Sequence, residues 1–87
     1  MCQYFKIKFM QEQIVIDENK LHENFGLNFK ISRIKLKLSQ EDICDKTNLS
    51  QVYISNIENG KHKLSLANAL ILSKAVNRSI YDLIKDI

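Results

Sequence analysis

The stretch SQVYISNIENGK, residues 50–61, places hydrogen-bonding side chains on one side of a predicted helix. At about 100° per residue, Ile54 and Ile57 share one face of this helix. The opposite face carries Gln51, Val52, Ser55, Asn56 and Asn59. Amides and hydroxyls donate and accept hydrogen bonds without carrying a charge. Because an idle helix surface is usually filled with Lys and Glu, this uncharged face predicts a binding surface rather than a merely solvated one.

Basic residues occur on both sides of this face in the sequence. The formal net charge is +3, and residues 1–25 hold three lysines against four acidic residues, so the basic excess lies in residues 26–87. The two clusters are Lys30, Arg33, Lys35 and Lys37, and then Lys61, His62 and Lys63. Each cluster alone is compatible with a solvated surface. Together, flanking one uncharged polar face, they favour a polyanionic ligand.

Other kinds of chemistry are not indicated. Cys2 and Cys44 form no CxxC pair and no His or Cys cluster completes a zinc site, so both are expected to be reduced thiols. His22 and His62 have no Ser, Cys or carboxylate at a recognisable catalytic spacing, and we expect no enzyme activity, metal or cofactor. No apolar run approaches the roughly 18–20 residues of a membrane span, and no secretory signal is present. The expected compartment is the cytoplasm.

Helix boundaries are predicted from capping residues, because the chain has no proline and only two glycines. A first helix is predicted from Gly26 to Lys37. Ser39 then caps a short second helix that ends near Thr47, with Asp42 completing a capping box.

A tight turn is predicted to separate the second and third helices, since Asn48 tolerates a left-handed backbone and Ser50 caps the next helix. Gly60 ends that third helix in the left-handed region. Ser65 and Ser79 begin a fourth and a fifth helix. The prediction for residues 26–87 is therefore a single all-α domain of five short helices.

The first 25 residues differ in pattern. Residues 5–9 alternate strictly between aromatic or aliphatic and lysine side chains, and residues 14–16 are β-branched throughout. They predict one or two β-strands, which need a partner because a lone hairpin is marginally stable. An unordered tail is the alternative, and Met10 is a candidate internal start. We treat residues 1–25 as an N-terminal extension for dimerisation or a partner contact.

From Gly26 to Ile84 the sequence resembles the Cro and phage-repressor type of helix-turn-helix protein, the XRE family. The matching positions, in order, are Gly26, Phe29 and Arg33, the run LSQEDI at 38–43, SQ at 50–51, YIS at 53–55, IENGK at 57–61, and the tail-helix positions 65–66, 69–70 and 79–83. The departures are Lys37 and Asn48 where Gly is frequent, Cys44 for Ala, and Leu64 where Pro is common. The resemblance implies a five-helix, lambda-repressor-like fold.

The resemblance also implies roles for individual side chains. It places the third helix, residues 50–59, in the major groove of DNA, with Gln51, Val52, Ser55 and Asn56 toward the base edges. It assigns phosphate contacts to Gln40, Tyr53, Asn59, Lys61 and Lys63. His62 has a lesser role in the same loop. Arg33 and Glu58 are implied to form a mostly buried structural ion pair.

The expected function is a sequence-specific transcriptional regulator that acts as a repressor. It binds a palindromic operator in double-stranded DNA as a homodimer, since one such domain touches only a few base pairs. Two alternatives remain from the sequence. One is an antitoxin or protein-binding module of a toxin–antitoxin pair, with a protein partner held by residues 1–25. The other is a controller of a restriction-modification operon.

Overall fold

The structure, a computed structural model, describes residues 14–86, and within this range the prediction of five helices is confirmed. The helices are α1 (Glu18–Lys35), α2 (Gln40–Thr47), α3 (Gln51–Glu58), α4 (Leu66–Ala75) and α5 (Ile80–Ile84). None of the helices in this part of the chain is long and apolar enough to cross a membrane.

The first helix begins at Glu18 and ends at Lys35, so the prediction of a start at Gly26 was wrong. Asp17 caps it by accepting a hydrogen bond from the Lys20 N–H at 3.1 Å. An N-cap aspartate followed by an acidic first turn is a helix-start signal, which the sequence contains and which the strand prediction overlooked. Residues 18–25, assigned above to the extension, are thus part of α1, and Phe25 is buried in the core.

Residues 14–16 form no strand, and their side chains are exposed. The other strand predicted for the extension, residues 5–9, lies outside the described residues.

The predicted serine caps are confirmed. Ser39, Ser50, Ser65 and Ser79 each accept a hydrogen bond from the backbone N–H three residues further on, at 3.0 to 3.1 Å. The Asp42 carboxylate accepts the Ser39 N–H at 2.8 Å and so completes the capping box of α2. Left-handed residues follow α2 and α3, with φ of 62° at Asn48 and 71° at Gly60. Each cap satisfies backbone groups that a helix end leaves without an intrahelical partner.

The core lies between the helices and is almost entirely aliphatic and aromatic. Its buried members are Phe25, Phe29, Ile43, Ile54, Ile57, Ala69, Leu72, Val76 and Leu83. Cys44 packs against this core and is partly buried, as expected of a small core residue. Since α1 contacts both α3 and α5, it joins α3 to the C-terminal end of the domain.

Gly26 allows α1 to approach α3 closely. A Cβ at this position would overlap the carbonyl oxygen of Ile57 and lie 3.3 Å from the Cα of Glu58. The close approach brings the next turns of α1, including Arg33, beside the end of α3.

Two asparagines of α1 fix the end of α5. The amide of Asn28 donates to the carbonyls of Leu83 and Lys85, both at 2.9 Å, and the amide of Asn24 donates to the carboxylate of Asp86 at 3.0 Å. The Asn28 bonds satisfy backbone carbonyls at the end of a five-residue helix, which has few internal partners for them.

Candidate nucleic-acid interface

The turn between α2 and α3 sets the angle at which α3 is presented. Asn48 adopts the left-handed conformation, and Leu49 packs against the core. The hydroxyl of Thr47 donates to the Ile43 carbonyl at 2.7 Å and accepts the Leu49 N–H at 3.3 Å. Backbone groups of the turn are thus paired within the protein, and the first turn of α3 projects outward.

The four residues predicted to contact bases lie together on the outward face of α3. Gln51 and Val52 are exposed, Val52 to 72%, while Ser55 and Asn56 are half-buried. They line one shallow depression with Gln40, which comes from the start of α2.

Gln40 connects this face to the interior. Its Nε2 donates to Glu58 Oε1 at 3.1 Å, and its Oε1 lies 3.5 Å from Nε2 of Gln51. The sequence predicted only a phosphate contact for Gln40 and did not reveal these protein partners. The amide of Gln51 thus contacts the amide of Gln40 where α2 and α3 meet.

Arg33 and Glu58 form a two-pronged ion pair. Arg33 Nε donates to Glu58 Oε2 at 2.7 Å and its NH2 group to Oε1 at 3.0 Å, while NH1 donates to the Leu38 carbonyl at 2.9 Å. The side chains are 11% and 2% exposed. Such planar two-point pairing is a strong form of charged hydrogen bond. The pair joins α1, the segment before α2 and the end of α3, and its charge is not presented to solvent.

The remaining predicted phosphate-contacting residues are Tyr53, in the first turn of α3, and three residues of the segment 59–65, hereafter the α3–α4 loop. Asn59, Lys61 and Lys63 are exposed and Tyr53 is half-buried. The Tyr53 hydroxyl accepts a hydrogen bond from the Asn68 amide at 2.9 Å, and its ring centroid lies 5.6 Å from that of His62.

A contact that the sequence analysis missed holds the α3–α4 loop to α1. His22 Nδ1 accepts the backbone N–H of Leu64 at 3.1 Å. No spacing in the sequence points to this contact, because the two residues are 42 positions apart.

One carboxylate at the start of α2, that of Asp42, has a lowered pKa. The Ser39 backbone N–H, its hydroxyl and, to a smaller extent, the charge of Lys46 hold the pKa of Asp42 below its ordinary value. Asp42 is therefore ionised at neutral pH, and its negative charge interacts favourably with the positive end of the α2 dipole.

These elements, a helix and a tight turn followed by an outward-facing second helix, match the helix-turn-helix family model over residues 29–83. This match covers more than half of the chain, and the protein belongs to the helix-turn-helix family of DNA-binding regulators.

The relatives found by sequence and by structure are of the same type. The control protein C.MunI of Mycoplasma is 34% identical over 70 residues, which span 79% of this chain and 95% of that protein. The crystal structure of the restriction-modification controller protein C.AhdI from Aeromonas hydrophila superposes with a TM-score of 0.67 and 29% identity, over 71% of this chain and 94% of that one. The hypothetical transcription factor NHTF from Neisseria shares the fold, with a TM-score of 0.71 and 23% identity over 85% of each chain.

Proposed function

We propose that this regulator binds a palindromic operator in double-stranded DNA as a homodimer and represses transcription by occupying it. The observation that supports the proposal most directly is the outward face of α3. It is uncharged, exposed at Gln51 and Val52, rich in amide and hydroxyl groups, and followed along the chain by the basic α3–α4 loop. A helix of this kind fits the major groove, where each base pair presents a distinct pattern of donors and acceptors.

Each side chain of the face suits a different part of the groove. The Gln51 amide both accepts and donates, which matches the N7 and N6 atoms of adenine. Val52, exposed to 72%, offers an apolar contact to a thymine methyl group. Ser55 and Asn56 lie one turn further along and reach neighbouring bases.

The phosphate contacts would surround this face. Gln40 lies at the N-terminus of α2, where free N–H groups and the helix dipole favour an anion. Tyr53 lies in the first turn of α3, and Asn59, Lys61 and Lys63 follow its C-terminal end. We expect roughly 4–8 phosphates to be neutralised per dimer, which makes the affinity steeply dependent on salt.

Exposed apolar side chains on α4 and α5 are candidates for a dimer interface. Leu66, Leu70 and Tyr81 are 74%, 47% and 69% exposed, and covering them in a dimer would remove apolar surface from water. In a dimer with two-fold symmetry the same surface of each copy would cover the other. Sedimentation equilibrium should show a dimer for the wild type and a lower association constant for Leu66→Ser.

The regulated genes are proposed from the two relatives described as controllers. Because the similarity spans 95% of C.MunI and 94% of C.AhdI, it includes almost the whole of each relative rather than a shared module alone. We therefore favour control of a restriction-modification operon, in the cytoplasm, over the antitoxin alternative. A protein partner held by the N-terminal extension would now involve residues 1–17, since α1 begins at Glu18.

The experiment that tests this function is selection of random duplex DNA by the full-length protein at near-physiological salt, repeated with Gln51→Ala. We expect an enriched palindrome with half-sites about one helical turn apart, and relaxed preference at one position per half-site in the variant. Asn19→Ala, which changes an exposed residue of α1, is the control and should select the wild-type sequence. Binding without enrichment, or enrichment that Gln51→Ala leaves unchanged, would contradict the proposed role of α3.

A further inference from the structure

His22 lies where α1 passes the α3–α4 loop, and its imidazole contacts that loop directly. Nδ1 accepts the Leu64 N–H at 3.1 Å, and the side chain is only 18% exposed. The loop segment so held is next to Lys61 and Lys63, two of the proposed phosphate contacts.

This hydrogen bond requires one particular form of the imidazole. A ring nitrogen accepts a hydrogen bond only when it carries no proton, so Nδ1 is unprotonated and the neutral ring carries its proton on Nε2. A second proton would have to occupy Nδ1. The Nδ1–H group and the Leu64 N–H would then be two donors facing each other, and the hydrogen bond would be lost.

Among the described residues, the ion pairs beside His22 involve α1 and the α3–α4 loop. Glu18, on α1, places Oε1 at 3.6 Å from Nε2, and Lys63, in the loop, places Nζ at 3.8 Å from the same oxygen. The surroundings contributed by α4 and α5 are Leu66, Ala69, Ile80 and Ile84, which do not titrate. The Glu18 carboxylate attracts a cationic ring, but it lies on the Nε2 side and cannot replace the lost acceptor for Leu64.

We infer that His22 is a positioning residue for DNA binding: its neutral imidazole holds the α3–α4 loop, through the Leu64 N–H, in the conformation that presents Lys61 and Lys63 to phosphate. This inference rests on the proposed function. The expected change of DNA affinity with pH is opposite to the usual one. Acidification adds positive charge to a protein and ordinarily strengthens its binding to a polyanion. Protonation of His22 releases the loop and weakens binding.

The variant that isolates this effect is His22→Asn. The Asn side-chain oxygen can occupy the place of Nδ1 and accept the Leu64 N–H, but it does not titrate. His62 is unchanged, so its contribution is the same in both proteins. Between about pH 7.5 and pH 5.5 the wild type should lose about three- to tenfold in DNA affinity relative to His22→Asn, which is the range for one net hydrogen bond.

A second variant removes the donor instead. Leu64→Pro deletes the N–H while leaving His22 in place, so its pH profile should be parallel to that of His22→Asn. A measurement on the wild-type protein needs no variant. ¹⁵N chemical shifts should identify Nδ1 as the unprotonated nitrogen at pH 7.5, and hydrogen exchange of the Leu64 amide, corrected for the intrinsic rate, should accelerate at pH 5.5.

The outcomes separate this inference from the function on which it rests. Parallel pH profiles for the wild type and His22→Asn, or a Leu64 amide whose corrected exchange does not change with pH, would overturn the role of His22. A pH-dependent Leu64 amide in a protein that selects no DNA sequence at any pH would overturn the proposed function, and with it the effect on DNA binding.

Discussion

Replacing Glu58 by alanine should strongly destabilise the folded domain rather than weaken DNA binding alone. The carboxylate accepts three hydrogen bonds, two from Arg33 and one from Gln40. In Glu58→Ala the Arg33 guanidinium, 11% exposed, keeps only the Leu38 carbonyl as a partner. Removing one member of a buried pair typically costs about 3–5 kcal/mol, because the other charge stays buried without compensation.

This cost is large relative to the stability of so short a chain. At about 0.05–0.15 kcal/mol per residue, 87 residues have a free energy of unfolding of about 4–13 kcal/mol. Each kcal/mol shifts the melting temperature of a domain of this size by about 4–8 °C. Glu58→Ala should therefore lower the Tm by at least about 12 °C.

Thermal unfolding followed by circular dichroism at pH 7 measures the effect. Glu41→Ala is the matched control, since Glu41 is an exposed glutamate of α2, and it should change the Tm by only a few degrees. The double variant Arg33→Met with Glu58→Leu removes both charges and should recover most of the lost stability. A Tm for Glu58→Ala equal to that of the control, or a double variant no more stable than the single one, would refute the account of this pair.

Three further predictions concern other parts of the domain. Gly26→Ala should lower the free energy of unfolding by about 1–3 kcal/mol in urea titrations, because the added methyl group overlaps the Ile57 carbonyl oxygen; an unchanged midpoint would show that α1 and α3 separate easily. Asp42 has a lowered pKa in the folded protein, so its contribution is present above the ordinary aspartate value of about 3.9 and is lost as the pH falls below it. Asp42→Asn should accordingly unfold at lower urea than the wild type at pH 7 and at nearly the same urea at pH 2, whereas equal midpoints at pH 7 would be contrary to the capping role; Asp45→Asn, on the same helix, is the control. Lys61→Ala should weaken binding to all DNA sequences alike and reduce the salt slope by about one per protomer, and a change in sequence preference would place this lysine at a base instead.

Local features of the domain were predictable from sequence because they depend on residues close together in the chain. Ser39 and Asp42 form a capping box three residues apart, and Asn48 and Gly60 occupy left-handed positions that few residues tolerate. The outward face of α3 follows from helical periodicity alone. The start of α1 was equally local, since Asp17 caps it, but the β-branched run at residues 14–16 led to a strand prediction for this part of the chain.

The resemblance to the XRE family implied the pairing of Arg33 with Glu58, which local pattern alone does not show. It did not imply what surrounds the pair. Gln40 binds both Glu58 and Gln51, and so it joins the ion pair to the outward face. The amides of Asn24 and Asn28 reach the end of α5, more than 50 positions away in sequence.

The sequence by itself determined the helices, their caps and the surface that α3 turns outward, since propensity, capping and periodicity act over at most a few turns of chain. Only the tertiary structure decided which polar side chains meet across the core. A polar group that leaves water must find a partner, and the partner available is whatever group the packing of the helices brings within about 3 Å. His22 shows this most directly. In the sequence it is an isolated histidine without a catalytic neighbour, and in the folded domain it holds the backbone of the loop that carries Lys61 and Lys63.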